Sequence, residues 1–66
     1  MLTLSGLLDV LPTGVVARAD YAQDSEWYVT RRYGDGAIVY CNQYGRHSDE
    51  VIKLTESNLE AYYTIL

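Results

Sequence analysis

The sequence predicts a two-layer α+β domain over residues 1–66: an N-terminal helix, a three- or four-stranded antiparallel meander and a C-terminal helix. Three observations predict it. Leu4, Leu7, Leu8 and Leu11 follow the i, i+3, i+4, i+7 spacing of one helical stripe. The middle of the chain alternates apolar and polar residues with period two through three stretches. Leu59, Tyr62, Tyr63 and Leu66 then repeat the helical spacing near the end. Both helical stripes can share one face of a sheet, which buries every apolar set in two layers.

The first helix has Thr3 as its N-cap, with Leu2 and Leu7 placed to form a hydrophobic staple. Gly6 weakens it by about 1 kcal/mol relative to Ala. Pro12 cannot continue the ladder, so the helix stops near Leu11, and Gly14 supplies the turn.

Strands are expected over Val15–Tyr21, Glu26–Tyr33 and Ala37–Tyr44. Gly34-Asp35-Gly36 fits a three-residue hairpin closed by a left-handed glycine. That hairpin pairs Tyr33 with Ala37 and Val29 with Cys41. It gathers Trp27, Val29, Val39 and Cys41 on the inner face, with Trp27 between sheet and helices. The other face then carries Arg18, Tyr28, Thr30, Arg32, Tyr40 and Tyr44 and stays wet, as antiparallel sheets allow. Glu50–Leu54 reads as a fourth short strand or a helical lead-in, and its alternation favours the strand. Thr55 is the N-cap of the last helix, with Leu54 and Leu59 as staple, and Ser57 and Glu60 offer a competing capping box. The pattern L-T-x-S-x-L occurs at Leu2 and at Leu54, and shared capping chemistry explains both.

Composition narrows the function. Nine acidic residues against five basic ones give a net charge of −4. Direct nucleic-acid binding needs a basic face and is not expected; nor is attraction to anionic membranes. Apolar runs fall far short of the ~20 residues of a membrane span. Leu2–Leu11 lacks a basic flank and contains Asp9, so it does not read as a signal segment. A single cysteine excludes an internal disulfide and suits a reducing cytoplasm. It also excludes zinc sites built from several thiolates, and no metal or cofactor is expected.

No residue pattern names a reaction. His47, Ser48 and Asp49 are consecutive, too close in sequence to converge as nucleophile, base and orienter. Cys41 is expected inside, opposite Val29, as a small apolar residue without an activating neighbour. Gly34-Asp35-Gly36 is turn chemistry, not a phosphate loop. An enzyme is therefore not expected.

The acids and tyrosines remain. Asp20, Asp24 and Glu26 surround the first strand connection, and the loop after Tyr44 would bring Asp49 and Glu50 beside them. Five of the nine acids would then share one end of the sheet, flanked by Tyr21 and Tyr44. Seven tyrosines and no phenylalanine suit half-buried recognition surfaces.

In size, acidity, tyrosine content and lack of a catalytic motif, the chain resembles the small inhibitors of phages and mobile elements, anti-CRISPR proteins in particular. That resemblance implies a monomer in the bacterial host cytoplasm that blocks the DNA-binding surface or the nuclease of a CRISPR effector complex. It carries over no residue. The acidic end, with Asp20, Tyr21, Asp24, Glu26, Tyr44, Asp49 and Glu50, would be the contact for a basic protein surface. Two alternatives stand beside it: a small adaptor or subunit using a tyrosine face with Tyr28 and Tyr40, and an acidic antitoxin that neutralises a basic toxin.

Overall fold

The computed structural model describes residues 1–23 and 25–66. Helix α1 (Leu4–Val10) is followed by strands β1 (Val16–Tyr21), β2 (Ser25–Arg31), β3 (Ile38–Cys41) and β4 (His47–Val51). The short helix α2 (Glu56–Glu60) and strand β5 (Tyr62–Ile65) complete the chain. The α+β class is as the sequence predicts. The strands form one five-stranded antiparallel sheet in the order β4-β3-β2-β1-β5.

Both helix caps are the expected ones. Thr3 accepts the Gly6 N–H at 3.4 Å, and Thr55 accepts the Asn58 N–H at 3.2 Å. Leu4, Leu7 and Leu11 turn inward, while Leu8 stays exposed. The carbonyls at the end of α1, which no helix can satisfy internally, are met by Arg31 of β2. Its guanidinium donates to Leu8 O, to Leu11 O at 2.7 Å and to Gly36 O at 2.8 Å. One side chain thus ties helix, strand and hairpin together.

The last helix is much shorter than its stripe suggests. It ends at Glu60, and Tyr62–Ile65 is the fifth strand, paired to β1 with Tyr63 opposite Ala19. Tyr-Tyr-Thr-Ile is a run of strand-favouring residues, and the open edge of β1 lets that preference prevail over the helical spacing. Tyr63 also exchanges two backbone hydrogen bonds with Leu2, at 2.9 and 2.7 Å, on its other side. The fourth strand likewise starts earlier than expected, at His47 rather than Glu50.

The β2–β3 register differs from expectation by one residue. Val29 pairs with Tyr40 and Arg31 with Ile38 around a longer loop closed by Arg32 N–H to Ala37 O at 2.9 Å. Asp35 sets this loop by accepting the Ala37 N–H at 3.1 Å and gripping Arg32 at 2.7 and 2.8 Å. Tyr40 therefore lies on the inner face, and Val39 and Cys41 on the other. The expected register assumed that only one face is covered. Both are. Leu4, Leu7, Leu11, Ala17, Ala19, Val29, Ile38, Ala61 and Tyr63 form the inner core, with Trp27 and Tyr40 packed against it. On the outer face Val39 and Thr30 are buried as well. There the β3–β4 turn folds over the sheet and brings Gly45 against Val16, so close that a Cβ on Gly45 would sit 3.1 Å from Val16 Cγ2.

Candidate functional site

The β1–β2 end keeps part of the expected acidic site. Asp20 and Glu26 are direct cross-strand partners. Arg18 donates to Asp20 at 3.1 Å, and this hydrogen bond and the carboxylate charge raise the Arg18 pKa. Glu26 has no ion pair among the described residues. Ala22 turns the chain with φ 54°. A shallow polar depression of about 310 Å³ opens between Asp20, Ala22, Ser25 and Glu26. Behind it Tyr21 and Trp27 meet edge to face, with ring centroids 6.5 Å apart. Asp24, the fifth expected acid, lies outside the described residues.

Asp49, Glu50 and Tyr44 are not at that end. Asn42 accepts the N–H groups of Tyr44 at 2.9 Å and Arg46 at 3.0 Å, making a tight turn. The chain then returns as β4, which carries both acids back along the sheet toward the β2–β3 hairpin. Asp49, in a left-handed conformation with φ 65°, lies 3.5 Å from Arg32 and 3.3 Å from His47 Nδ1. Glu50 pairs with Lys53 at 3.6 Å. Arg32 follows Glu26 by six residues, about 20 Å along an extended strand. The sequence expectation treated residues 45–49 as loop, and the pairing of β4 with β3 is what separates the acids.

Arg32 is the centre of this second cluster. Its hydrogen bonds hold the Asp35 carboxyl well below the usual carboxylate range, helped by the Ala37 N–H, and its own pKa is raised chiefly by Asp35. Beside it a cleft of about 210 Å³ runs between Tyr33 and Tyr44, over Gly14, Thr30 and Gly45. Tyr33 is 79% exposed and Tyr44 83%.

The tyrosine face of the adaptor alternative is not built as expected. Tyr28 lies half-buried on the outer face, but Tyr40 points inward and its hydroxyl accepts from Asn58 Nδ2 at 2.7 Å. Cys41 is half-buried on the outer face, paired with Tyr28 and His47 rather than with Val29. His47 is its ladder partner, yet burial pushes the Cys41 thiol up, the opposite of an activated nucleophile. Among the described residues no cluster of three His, Cys, Asp or Glu side chains could hold a metal ion. None of their helices is long and apolar enough to cross a membrane.

Two residues that organise these surfaces were not visible in the sequence. Arg31 ties the cleft side to α1. Asn58, 2% exposed, accepts from Trp27 Nε1 at 3.0 Å and donates to Tyr40 Oη and to Lys53 O at 2.8 Å. An Asn in a helical first turn reads as a solvent-facing cap residue, and no local signal says otherwise. Comparison with protein-family models, with curated proteins and with solved structures gave no match.

Proposed function

We propose that the protein is a small non-catalytic inhibitor that occupies a basic, nucleic-acid-binding surface of a protein complex through its β1–β2 end. The observation that carries this is the direct pairing of Asp20 with Glu26. Like charges opposite each other on a sheet destabilise it, and Arg18 hydrogen-bonds only Asp20, reaching Glu26 by charge alone. A cationic partner surface would relieve both. Tyr21 and Trp27 back the pair from the inner face of the sheet, where their edge-to-face contact holds this strand end in shape.

The contact is local. The longest dimension is 32 Å, over which duplex DNA carries roughly 19 phosphate charges, against a net −4 for the whole chain. Whole-surface mimicry of DNA is out of scale. The field reaches about 8 Å at cellular salt, so Asp20 and Glu26 act on groups they touch. The anti-CRISPR resemblance makes a CRISPR effector complex the first partner to test.

The test is a binding titration of the wild type and of Asp20→Lys/Glu26→Lys at two salt concentrations, against an effector complex or a partner captured from host lysate. The double variant is expected to bind at least about tenfold more weakly with its fold intact, because rim charges steer association and contribute little to stability. Added salt should slow wild-type association more than it speeds dissociation. Equal binding by the variant, with no salt dependence, reduces the acidic end to a solubility rim.

A further inference from the structure

We propose that the cleft between Tyr33 and Tyr44 binds an uncharged, proline-rich segment of a partner protein. The two rings are among the most exposed large side chains of the chain, at 79% and 83%, and each belongs to a hydrogen-bonded turn. Gly14, with φ 80°, lets the Tyr33 hydroxyl come so near that a Cβ there would lie 2.7 Å from it. Gly45, with φ 87°, seats the Tyr44 turn on Val16. Neither tyrosine hydroxyl has a hydrogen-bond partner among the described residues, so both can donate to a ligand.

Charge selects the occupant. Arg32 is held by Asp35 at 2.7 Å and Asp49 at 3.5 Å, and His47 Nδ1 faces Asp49 at 3.3 Å. Arg31 turns three of its five donors to the carbonyls of Leu8, Leu11 and Gly36. The rim offers rings and hydroxyls, with its arginines already engaged by carboxylates or carbonyls, which disfavours phosphate, nucleic-acid and acidic ligands. An extended peptide could also join a sheet edge, but both edges are guarded. Leu2 occupies β5 at Tyr63, and β4 pairs with β3 through a register shift between Val39 and Cys41, with Asp49 in a left-handed conformation. The remaining mode of extended-peptide recognition is a polyproline helix on an aromatic-lined groove. Such a helix is ordered before binding and leaves its carbonyls free to accept from tyrosine hydroxyls.

The experiment is a titration of ¹⁵N-labelled protein with decaproline, with a thymine oligonucleotide and a glutamate-rich peptide as parallel arms. Saturable amide shifts are expected for decaproline alone, centred on Gly14, Tyr33, Tyr44 and Gly45. Tyr33→Ala and Tyr44→Ala should each weaken binding about fivefold or more, as loss of an aromatic anchor does. Tyr62→Ala, exposed on β5, and Asp20→Lys/Glu26→Lys should not, which separates this site from the acidic end. Absence of shifts at millimolar peptide, shifts elsewhere, insensitivity to both tyrosine variants, or occupation of the cleft by either other ligand would overturn the proposal.

Discussion

Replacing Asn58 by Ala tests the polar centre of the fold. The Asn58 side chain makes three short hydrogen bonds, from Trp27 Nε1 at 3.0 Å, to Tyr40 Oη at 2.7 Å and to Lys53 O at 2.8 Å, and accepts a longer one from Tyr63 Oη at 3.4 Å. Together they join β2, β3 and the chain entering α2. At about 1 kcal/mol each, their loss costs about 3 kcal/mol. A chain of this length is stable by about 3–10 kcal/mol, so the loss is a large share. Each kcal/mol moves Tm by about 4–8 °C in a small domain, which gives a fall of about 12–24 °C. Asn58→Asp sharpens the test. It keeps the acceptor for Trp27 but turns an acceptor toward Lys53 O, so only the protonated carboxyl fits and its folded pKa is raised. A raised carboxyl pKa gives stability that is complete below the unfolded value and is lost as pH rises through the folded value. Relative to wild type, the Asp variant should therefore be closest at pH near 4 and furthest below it at pH near 7. Thermal unfolding followed by far-UV circular dichroism reads both. A Tm for Asn58→Ala within about 3 °C of wild type, or a pH-independent gap for Asn58→Asp, would refute the reasoning.

Tyr63 is fully buried, and its hydroxyl donates to Asn58 O at 2.8 Å. Burial, and then the nearby Tyr40, push its pKa up to about 12, so its contribution is present below pH 10 and lost between pH 10 and 12. Tyr63→Phe should cost about 1 kcal/mol at neutral pH and flatten that alkaline decline in chemical denaturation. Arg31→Lys keeps the charge but cannot reach three carbonyls with one ammonium, and should lose about 2 kcal/mol by urea unfolding. Gly45→Ala, strained at φ 87° and crowded against Val16, should lower Tm and shift the amides of Tyr33 and Tyr44 while leaving those of Ser25 and Glu26 in place. Cys41 should react with a thiol reagent at pH 8 more slowly than a free cysteine, since burial raises its pKa; labelling as fast as in the unfolded chain would refute this.

The local chemistry of the fold was legible in the sequence. Thr3 and Thr55 cap their helices as expected, Pro12 lies just past the first, and the alternation in Val15–Tyr21 and Glu26–Tyr33 became β1 and β2. What failed were choices that only the whole fold decides. Tyr62 and Tyr63 fit a helical stripe and a strand equally well, and the open side of β1 decides between them. The β2–β3 register depends on whether Val39 must face the helices. Val39 is buried on the outer face as well, which removes that requirement, and nothing near it in sequence announces a covered outer face.

The β3–β4 turn explains why only part of the site was legible. Asp20, Tyr21 and Glu26 are neighbours through one local hairpin, so a local argument places them together. Tyr44, Asp49 and Glu50 reach their positions through a long-range event, the folding of residues 42–46 across the outer face. Gly45 permits it by approaching Val16, where a Cβ would sit 3.1 Å from Cγ2, and Gly14 makes room for the Tyr33 ring on the other side of the cleft. The turn lies beside Thr30 and at the same time delivers Tyr44 to the cleft with Tyr33, and β4 beside Arg32. Seating of the turn on Val16 and assembly of the cleft are therefore one event, whereas the acidic pair forms without it. The two surfaces lie at opposite ends of β2, about 20 Å apart. At that distance, with no shared partner, substitutions at one should add to those at the other rather than couple, so a partner could engage each end independently.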